Sequence, residues 1–296
     1  MNHLIEISQL SLAQTEQLLE RAFYFKHNKV ITGLTDHCMA TLFYEDSTRT
    51  RVSFELAAKR LAMPVINIDL ANSSENKGET IEDTLATLAA MGIDLFVIRH
   101  RQDGIQQHLV PSVGENGHII NAGDGKHAHP SQALLDLMTI LENKPDLPRL
   151  KIAIVGDLRH SRVANSLQCL FKLVGVKELM LVAPEIWQPE VVHYGTVTNS
   201  LQQGLADADV VITLRVQRER LVEGEHLDWQ EYRSNYALTA SSLAYAKPDA
   251  IVMHPGPINR GVEIDSDVAD GKASRILQQV NNGVFMRMAI IEALST

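Results

Sequence analysis

The stretch MATLFYEDSTRTRVSFE, residues 39–55, passes from a strand pattern to a helix pattern within a single turn. Its first six residues, from Met39 to Tyr44, form an apolar run that is typical of a buried strand. After the turn, Val52, Leu56 and Leu61 recur at helical spacing and predict one apolar stripe that packs the helix against a core. A strand that leads directly into a helix is the repeating unit of α/β folds.

The same alternation of short apolar runs and helical patterns continues along the chain. The strand patterns are VINIDL, DLFVIRH, KIAIVGDL, ELMLVA, DVVITLR and AIVMHP. The helical patterns include TIEDTLATLAAMG, which stops at Gly92, the amphipathic SQALLDLMTILEN, and the long closing segment SRILQQVNNGVFMRMAIIEAL. Such alternation predicts parallel sheets with helices on both faces.

The chain has 296 residues, enough for two domains of ordinary size. The segment NKPDLPRL, residues 143–150, carries two prolines and several charges and is the predicted connection between them. We therefore expect an α/β protein with two doubly wound parallel-sheet domains, one formed by residues 1–142 with 278–296 and the other by residues 150–277.

Composition excludes several classes of function. A net charge of −9 and a pI near 5.7 argue against a nucleic-acid partner. Cys38 and Cys169 lie far apart and outside any CxxC pattern, which argues against a disulfide framework or a zinc site and favours a reducing cytoplasm. The first residues, MNHLIEISQLSLAQ, lack a basic signal-peptide start, and no apolar run is long enough to span a bilayer. We expect a cytoplasmic protein without a membrane partner.

The turn before the first helix has the properties of an anion site. Free backbone N–H groups and the positive end of the helix dipole attract phosphate. Hydroxyls and a planar guanidinium add further donors. These groups belong to Ser47, Thr48, Arg49, Thr50 and Arg51. The alternative is an N-capped helix with a solvated basic turn. Arg49 and Arg51 point in different directions on a helix, so we expect one of them, Arg51, to be structural, for instance paired with Glu55.

A second turn, VGDLRHS, begins after a predicted strand and resembles the opening of a dinucleotide-binding unit. The GxGxxG pattern is missing from it, however. This absence argues against nicotinamide binding.

Seven segments, taken in chain order, resemble the aspartate-specific branch of the transcarbamylase family. They are STRTR, NKGET, VIRHRQDG, NAGDGKHAHPSQALLDLMTI, VGDLRHSRVANSL, LRVQRERL and VMHPGPINRGVEI. The resemblance spans nearly the whole chain, and several of these motifs are long and chemically unusual.

The resemblance implies transfer of a carbamoyl group from carbamoyl phosphate to the α-amine of L-aspartate, an early committed step of pyrimidine biosynthesis. It implies a carbamoyl-phosphate domain (1–142 and 278–296), an aspartate domain (150–277) and an active site between them. It also implies a homotrimer with sites at subunit interfaces, and neither a metal nor a cofactor. Relatives work as bare trimers, with regulatory chains, or in assemblies with dihydroorotase.

The resemblance further implies the residues that bind each substrate. Phosphate is expected to contact Ser47, Thr48, Arg49 and Thr50, and the carbamoyl group is expected to contact Arg99, His129, Gln132 and the backbone carbonyls of Gly256 and Pro257. The aspartate contacts are expected to be Arg162, Arg215, Gln217 and Lys77. The catalytic group is expected to be Arg49, Thr50, Lys77, Arg99 and His129. Many relatives have leucine at the position of Gly256, a change that a backbone role tolerates.

One loop is expected to act in trans. Lys77 and Ser73, with Ser74 as the alternative serine, lie in NSSENKGE, which composition alone would make a solvated surface loop. In the family, the matching loop reaches the neighbouring subunit's site. The remaining polar residues near the motifs are expected to be solvated and uninvolved; they are His100, His127, Arg218 and Arg220.

Two alternatives remain at this point. An ornithine transcarbamylase shares the phosphate signature, but its substrate needs an acidic pocket and its later signature reads His-Cys-Leu-Pro. This chain has HPGP and arginines instead, which suit an acidic substrate. A non-catalytic, transcarbamylase-like scaffold is the second alternative; loss of Arg49, Lys77, Arg99 or His129 would favour it, and all four are present.

Overall fold

The structure is a computed structural model and describes residues 1–28, 33–70, 78–217 and 227–295. It contains two compact units, Met1–Met138 with Val280–Thr296, and Thr139–Gln279. Each unit is built on a parallel sheet that is accompanied by helices, which confirms the predicted α/β class. The boundaries between the two units fall inside two helices, residues 130–143 and 276–295. The sequence-based boundaries at 142, 150 and 278 remain predictions.

The elements are numbered in chain order within the described residues. The strands are β1 (Met39–Phe43), β2 (Val65–Asn67), β3 (Leu95–His100), β4 (His118–Asp124), β5 (Lys151–Val155), β6 (Glu178–Val182), β7 (Thr196–Thr198), β8 (Val210–Thr213) and β9 (Ile251–Met253). The helices are α1 (Leu12–His27), α2 (Thr48–Arg60), α3 (Ile81–Ala90), α4 (Ile105–Leu109), α5 (Pro130–Asn143), α6 (Arg162–Leu173), α7 (Leu201–Leu205), α8 (Trp229–Tyr236), α9 (Ala240–Leu243), α10 (Ser266–Ala269) and α11 (Ile276–Ser295).

Strand order determines where the loops of each unit meet. The first sheet has the order β2-β1-β3-β4 and the second has the order β7-β6-β5-β8-β9, with every pairing parallel. In a parallel sheet the carboxyl ends of the strands lie at one edge, where α/β proteins bind ligands. The segments that follow β1 and β4, together with Arg99 near the end of β3, carry the predicted groups of the first unit. Those that follow β5, β8 and β9 carry the predicted groups of the second.

All six predicted strand patterns form strands, although VINIDL is a strand only over Val65–Asn67. Strands β1, β3, β5 and β8 are almost wholly buried, which explains their continuous apolar sequences. The two strands β4 and β7 lie outside the predicted strand patterns.

The predicted apolar stripe of α2 is wrong. Val52 and Leu56 are each 42% exposed, and of the three predicted residues only Leu61 is buried. The buried face of α2 instead consists of Thr50, Ser53, Phe54, Ala57 and Ala58. Alanine and serine have little side-chain volume, so this face lets the helix backbone approach the sheet closely.

Helix α5 is also buried differently from the prediction. Its residues 130–140 are buried on every side, whereas SQALLDLMTILEN predicts an amphipathic helix. Its polar side chains have partners inside the protein: Gln132 Nε2 donates to Asp136 Oδ1 at 2.9 Å. Burial lowers the pKa of Arg287 on α11 to about 10, and the negative charge of Asp136 opposes that shift. Hydrogen bonds and opposite charge therefore make burial of the polar face possible.

Within the residues that the structure describes, no helix is both long enough and apolar enough to cross a bilayer.

Candidate active site

The predicted phosphate turn lies at the carboxyl end of β1. Ser47 is the N-cap of α2, with extended backbone angles (φ −161°, ψ 92°), and its side chain makes no capping hydrogen bond to the described helix. The first backbone N–H groups of a helix have no partner within the helix. Ser47 is half-buried, Thr48 and Arg49 are exposed, and Thr50 is only 6% exposed. The turn therefore presents N–H donors, hydroxyls and a guanidinium at one helix end, an arrangement suited to an anion.

The two arginines of this turn differ as predicted. Arg51 Nε lies 4.0 Å from Glu55 Oε1, one helical turn further on, which confirms the predicted pairing. The Arg51 side chain is 54% exposed. Arg51 is thus paired along the surface of α2, whereas the exposed Arg49 remains the predicted phosphate contact.

Arg99 connects the end of β3 to the turn after β1. Its side chain is only 15% exposed, and its Nε lies 3.4 Å from Glu45 Oε2. A terminal guanidinium nitrogen of Arg99 donates to the carbonyl of Ala122 on β4 at 3.3 Å. These contacts place the guanidinium among the ends of three neighbouring strands. Sequence reasoning missed Glu45, whose position two residues before the hydroxyl run was the available signal.

His129 immediately precedes α5 and is 4% exposed. Its backbone carbonyl accepts hydrogen bonds from the N–H groups of Gln132 at 3.1 Å and Ala133 at 3.3 Å, so it begins the helix. Gln132, 8% exposed, is held by Asp136 one turn later. The structure thus places both predicted carbamoyl contacts on the first turn of α5, as the motif HPSQ predicts. Asp136 is a further residue that the sequence did not single out.

A buried carboxylate, Asp124, anchors the loop that carries His129. Its Oδ1 accepts from Asn121 Nδ2 and the Ala128 N–H, both at 2.9 Å. Its Oδ2 accepts from the Gly104 N–H at 2.7 Å and contacts His127 Nδ1 at 2.8 Å. Burial would raise the pKa of Asp124, but these hydrogen bonds outweigh it and the pKa lies below its ordinary value.

His127 and His100 are not the solvated side chains that the sequence led us to expect. His127 pairs with Asp124 and lies 3.4 Å from Glu6, and the hydrogen bond with Asp124 raises its pKa. His100 Nδ1 accepts from the Gln102 N–H at 2.9 Å. Both side chains are only partly exposed, 37% in the case of His127, and a carboxylate contact or a backbone N–H holds each ring in place.

In the second unit, the segment after β5 presents Arg162. This arginine is the first residue of α6 and is only 5% exposed, and Ser161 caps the helix by accepting from the Ala164 N–H at 3.2 Å. Upstream, the buried Asp157 and His160 contact each other at 2.8 Å. The motif VGDLRHS therefore forms a compact turn that carries a buried arginine.

The segment after β8 is joined to this turn. Gln217 Nε2 donates to the carbonyl of His160 at 3.0 Å, while Arg215 is half-buried two residues earlier. Gly156, with φ +130°, approaches closely: a Cβ there would lie 2.9 Å from the Leu214 carbonyl oxygen. The predicted aspartate contacts Arg162, Arg215 and Gln217 thus lie on two segments that are joined directly.

The HPGP turn follows β9. Gly256 has φ +69°, a left-handed conformation that favours glycine, and the Gly256–Pro257 bond is cis. The Gly256 N–H donates to His254 Nδ1 at 2.8 Å, and His254 Nε2 lies 3.2 Å from Glu263 Oε1. Sequence reasoning assigned no role to His254 or Glu263.

Some predicted residues lie outside the described residues. They are Ser73, Ser74, Lys77, Arg218 and Arg220. In the part of the chain that the structure does describe, no group of three or more His, Cys, Asp and Glu side chains is arranged to hold a metal ion.

Comparison with known proteins identifies the family. A family model described as the carbamoyl-P binding domain of aspartate/ornithine carbamoyltransferase matches residues 2–142. A second, described as the Asp/Orn binding domain, matches residues 149–294. The aspartate carbamoyltransferase catalytic subunit of Legionella pneumophila (strain Corby) is 64% identical over 294 residues, which cover 99% of each chain. The catalytic subunit of Coxiella burnetii (strain Dugway 5J108-111) is 48% identical, over 98% of this chain and 95% of the Coxiella chain.

Solved structures give the same result. Aspartate transcarbamoylase from Trypanosoma cruzi, in complex with carbamoyl aspartate and phosphate, superposes with a TM-score of 0.89 at 30% identity, over 98% of this chain and 95% of that one. Two domain models that together cover nearly all of the sequence, and curated relatives of matching length, agree with the two parallel sheets described above. The chain therefore belongs to the aspartate/ornithine carbamoyltransferase family.

Proposed function

We propose that this chain transfers the carbamoyl group of carbamoyl phosphate to the α-amine of L-aspartate, giving N-carbamoyl-L-aspartate and phosphate for pyrimidine biosynthesis. The observation that carries the proposal is the joined pair of segments in the second unit that bears Arg162 and Arg215. Two guanidinium groups match the two carboxylates of aspartate. The 64% and 48% identical relatives, each named an aspartate carbamoyltransferase catalytic subunit, support the same substrate.

The first substrate is assigned to the first unit. Ser47, Thr48, Arg49 and Thr50 are proposed to bind the phosphate of carbamoyl phosphate at the N-terminus of α2. The exposed Arg49 and the unused capping hydroxyl of Ser47 support this assignment. One Trypanosoma cruzi relative was solved with carbamoyl phosphate bound.

The chemical step needs donors where negative charge develops. The aspartate amine attacks the carbonyl carbon, and the carbonyl oxygen becomes an oxyanion before the phosphate leaves. Arg99, His129 and Thr50 are proposed to polarise that oxygen, and their burial supports the assignment because preorganised donors act most strongly away from water. Arg49 and the end of α2 stabilise the departing phosphate, and the phosphate is a base of suitable strength for the amine proton.

The remaining contacts orient the two substrates. Gln132 is proposed to contact the carbamoyl group, and the carbonyls of Gly256 and Pro257 are proposed to accept hydrogen bonds from the carbamoyl nitrogen. Gln217 is proposed to bind aspartate beside Arg215. Correct orientation of two bound reactants can account for a large part of a rate enhancement.

Ornithine is the alternative second substrate, because the family models include both activities. Ornithine carries one carboxylate and two amines, and the amine that does not react would keep a positive charge beside the two arginines, of which Arg162 is only 5% exposed. Juxtaposed like charges in a desolvated site cost several kcal/mol. We therefore assign aspartate, and solved ornithine carbamoyltransferases are also more distant, at 27% identity for that of Gloeobacter violaceus.

Assembly and location are proposed from the family resemblance. We assign a homotrimer in which Lys77 and Ser73, or Ser74, complete the site of the neighbouring subunit. Regulatory chains or a dihydroorotase are the partners that a larger assembly would contain. Cys38 and Cys169 are free thiols, which supports a reducing cytoplasm.

The test is a colorimetric assay of purified chain with carbamoyl phosphate and aspartate, run in parallel with ornithine and with putrescine. Carbamoyl-aspartate formation supports the proposal. If product forms with ornithine but not with aspartate, the chain is an ornithine carbamoyltransferase. If no amine gives product, the non-catalytic scaffold is favoured.

A further inference from the structure

His254, at the end of β9, has both ring nitrogens engaged inside the second unit. Its side chain is buried, with 2% of the residue exposed. The Gly256 N–H donates to Nδ1 at 2.8 Å, and Nε2 lies 3.2 Å from Glu263 Oε1. The backbone N–H of His254 also donates to Gln279 Oε1 at 2.8 Å. The ring is therefore fixed in one orientation.

These contacts determine the tautomer of His254. Because Nδ1 accepts the Gly256 N–H, the ring proton of the neutral imidazole belongs to Nε2, which donates to Glu263. Glu263 is only 1% exposed. The pair joins a backbone N–H in the turn to a buried carboxylate.

The hydrogen bonds continue to the aspartate-binding segment. Glu263 Oε1 also accepts from the Asn259 N–H at 2.6 Å. Asn259 Nδ2 donates to the carbonyl of Val216 at 3.3 Å. Val216 lies between Arg215 and Gln217. An uninterrupted series of hydrogen bonds therefore runs from the Gly256 N–H, through His254, Glu263 and Asn259, to the segment that carries these two predicted aspartate contacts. All of these residues belong to the second unit.

The bond to Gly256 also controls the shape of the turn. It fixes the plane of the peptide between Pro255 and Gly256, and Gly256 then turns the chain with φ +69°. The direction of the following carbonyls depends on that plane. The carbonyls of Gly256 and Pro257 are those assigned above to the carbamoyl nitrogen.

We propose that His254 is a positioning residue for carbamoyl transfer: it holds the 255–257 turn in a fixed relation to the Arg215–Gln217 segment. The inference rests on the proposed function, because only then do the turn and the segment contact the two reacting groups. A buried pair that served stability alone would have no effect on turnover beyond its effect on the folded fraction.

Two substitutions separate the ring nitrogens. In His254→Asn, the side-chain oxygen occupies the position of Nδ1 and can still accept the Gly256 N–H. In His254→Gln, the amide nitrogen reaches the position of Nε2 and can still donate to Glu263, but the Gly256 N–H loses its acceptor. Each variant loses one hydrogen bond, and because the bond to the Glu263 carboxylate is the stronger one, His254→Asn should lose at least as much stability as His254→Gln.

Asp209→Asn is the matched control. Asp209 is 6% exposed and accepts from the Lys151 N–H at 2.9 Å and from Lys247 Nζ at 2.7 Å. It belongs to the same unit but precedes β8, at the sheet edge opposite the turn. The variant therefore removes one of these acceptors and the charge that pairs with Lys247, within the second unit and without touching the HPGP turn.

The experiment measures kcat, KM for both substrates and the urea midpoint of the intact chain. His254→Asn should retain kcat within about fivefold, because the Gly256 N–H keeps its acceptor. His254→Gln should lose about 10- to 100-fold in kcat, the scale for a misplaced reacting group. Asp209→Asn should lower the urea midpoint and leave kcat unchanged.

Equal kcat values for the two His254 variants would overturn the inference, as would a loss in Asp209→Asn as large as that in His254→Gln. If neither His254 variant folds, Asn259→Ala replaces them: it keeps the backbone bond to Glu263, removes the contact with Val216, and should raise KM for aspartate while lowering the urea midpoint no more than Asp209→Asn does. An unchanged KM would then contradict the inference. An unsubstituted chain without activity would instead contradict the proposed function.

Discussion

The guanidinium Nε of Arg99 lies 3.4 Å from Glu45 Oε2, so a residue at the end of β3 is joined to the turn that follows β1. Both side chains are mostly buried, at 15% and 21% exposure. Glu45 places a negative charge close to the groups that we assign to an anionic substrate. The same carboxylate orients one of those groups, Arg99.

Glu45→Gln should separate these two effects. Loss of the negative charge should tighten carbamoyl phosphate binding about two- to fivefold, the range for a partly exposed ion pair. Loss of the partner that orients Arg99 should lower kcat. Titration calorimetry and initial rates measure the two quantities. The neighbouring exposed Asp46 provides the control, since Asp46→Asn removes the same charge without touching Arg99; equal changes in both variants would contradict the account.

The two arginines of the phosphate turn should respond differently to removal. Arg49→Ala should lower kcat about 10²- to 10³-fold, the loss typical of a transition-state donor. Arg51→Ala should leave kcat nearly unchanged and cost at most about 0.5 kcal/mol of stability, because its pair with Glu55 is an exposed i,i+4 contact at 4.0 Å. Steady-state kinetics and urea unfolding of both variants decide the matter, and the reverse ranking would refute the assignment.

The pair of His127 and Asp124 should make stability depend on pH. The hydrogen bond between His127 and Asp124, together with the charges of Asp124, Glu6 and Asp103, raises the pKa of His127 above its ordinary 6.5. A group with a raised pKa in the folded state stabilises the protein fully below its unfolded pKa, and loses that contribution as pH rises through the folded value. The pKa of Asp124 is lowered, so this carboxylate stays charged throughout that range.

His127→Gln should therefore destabilise the protein most below about pH 6.5 and progressively less at higher pH. Urea unfolding of both proteins between about pH 5.5 and 8.5 provides the comparison. If the difference in unfolding free energy between the two proteins does not change with pH, protonation of His127 does not contribute to stability and the prediction is wrong.

Mixed trimers should test whether the site is shared between subunits. Lys77→Ala and Arg49→Ala chains are each expected to be inactive. When the two are mixed, dissociated and reassembled, some interfaces should combine an intact Lys77 with an intact Arg49, and activity should return. Verified hybrids that stay inactive would place Lys77 in the site of its own chain or in none.

The sequence predicts best those strands that parallel pairing buries on both faces. KIAIVGDL and DVVITLR are apolar because β5 and β8 lie inside the sheet. Strand β4 gives no such signal, because Asn121 and Asp124 replace apolar residues at positions that are fully buried. Some of their hydrogen bonds join residues distant in sequence, such as that from Asn121 to the carbonyl of Ile5 at 3.0 Å and that from the Gly104 N–H to Asp124 at 2.7 Å. No local pattern contains that information.

The phase of α2 could not be predicted for a similar reason. Hydrophobicity favours Val52 and Leu56, yet the core-facing residues are Thr50, Ser53, Phe54, Ala57 and Ala58. Apart from Phe54, these residues are small or polar, and they are buried because the helix lies close to its neighbours, a property of packing and not of periodicity.

Motifs single out candidate site residues, whose roles remain predictions, but they do not reveal the supporting partners. Arg99 lies near the end of β3, and His129 and Arg162 follow β4 and β5, all three in recognisable segments. Glu45 and Glu263 act on residues that other parts of the chain provide, Arg99 in the first case and His254 in the second. Only the fold brings such pairs together.

The most direct test of the central claim is a competition experiment. Isotope-labelled carbamoyl phosphate is given to the purified chain with equal concentrations of aspartate and ornithine, and both products are quantified during the initial rate. The account predicts carbamoyl-aspartate in excess of carbamoylated ornithine by at least about 100-fold, since a like charge in the aspartate site costs several kcal/mol. Comparable amounts of the two products, or an excess of carbamoylated ornithine, would contradict it.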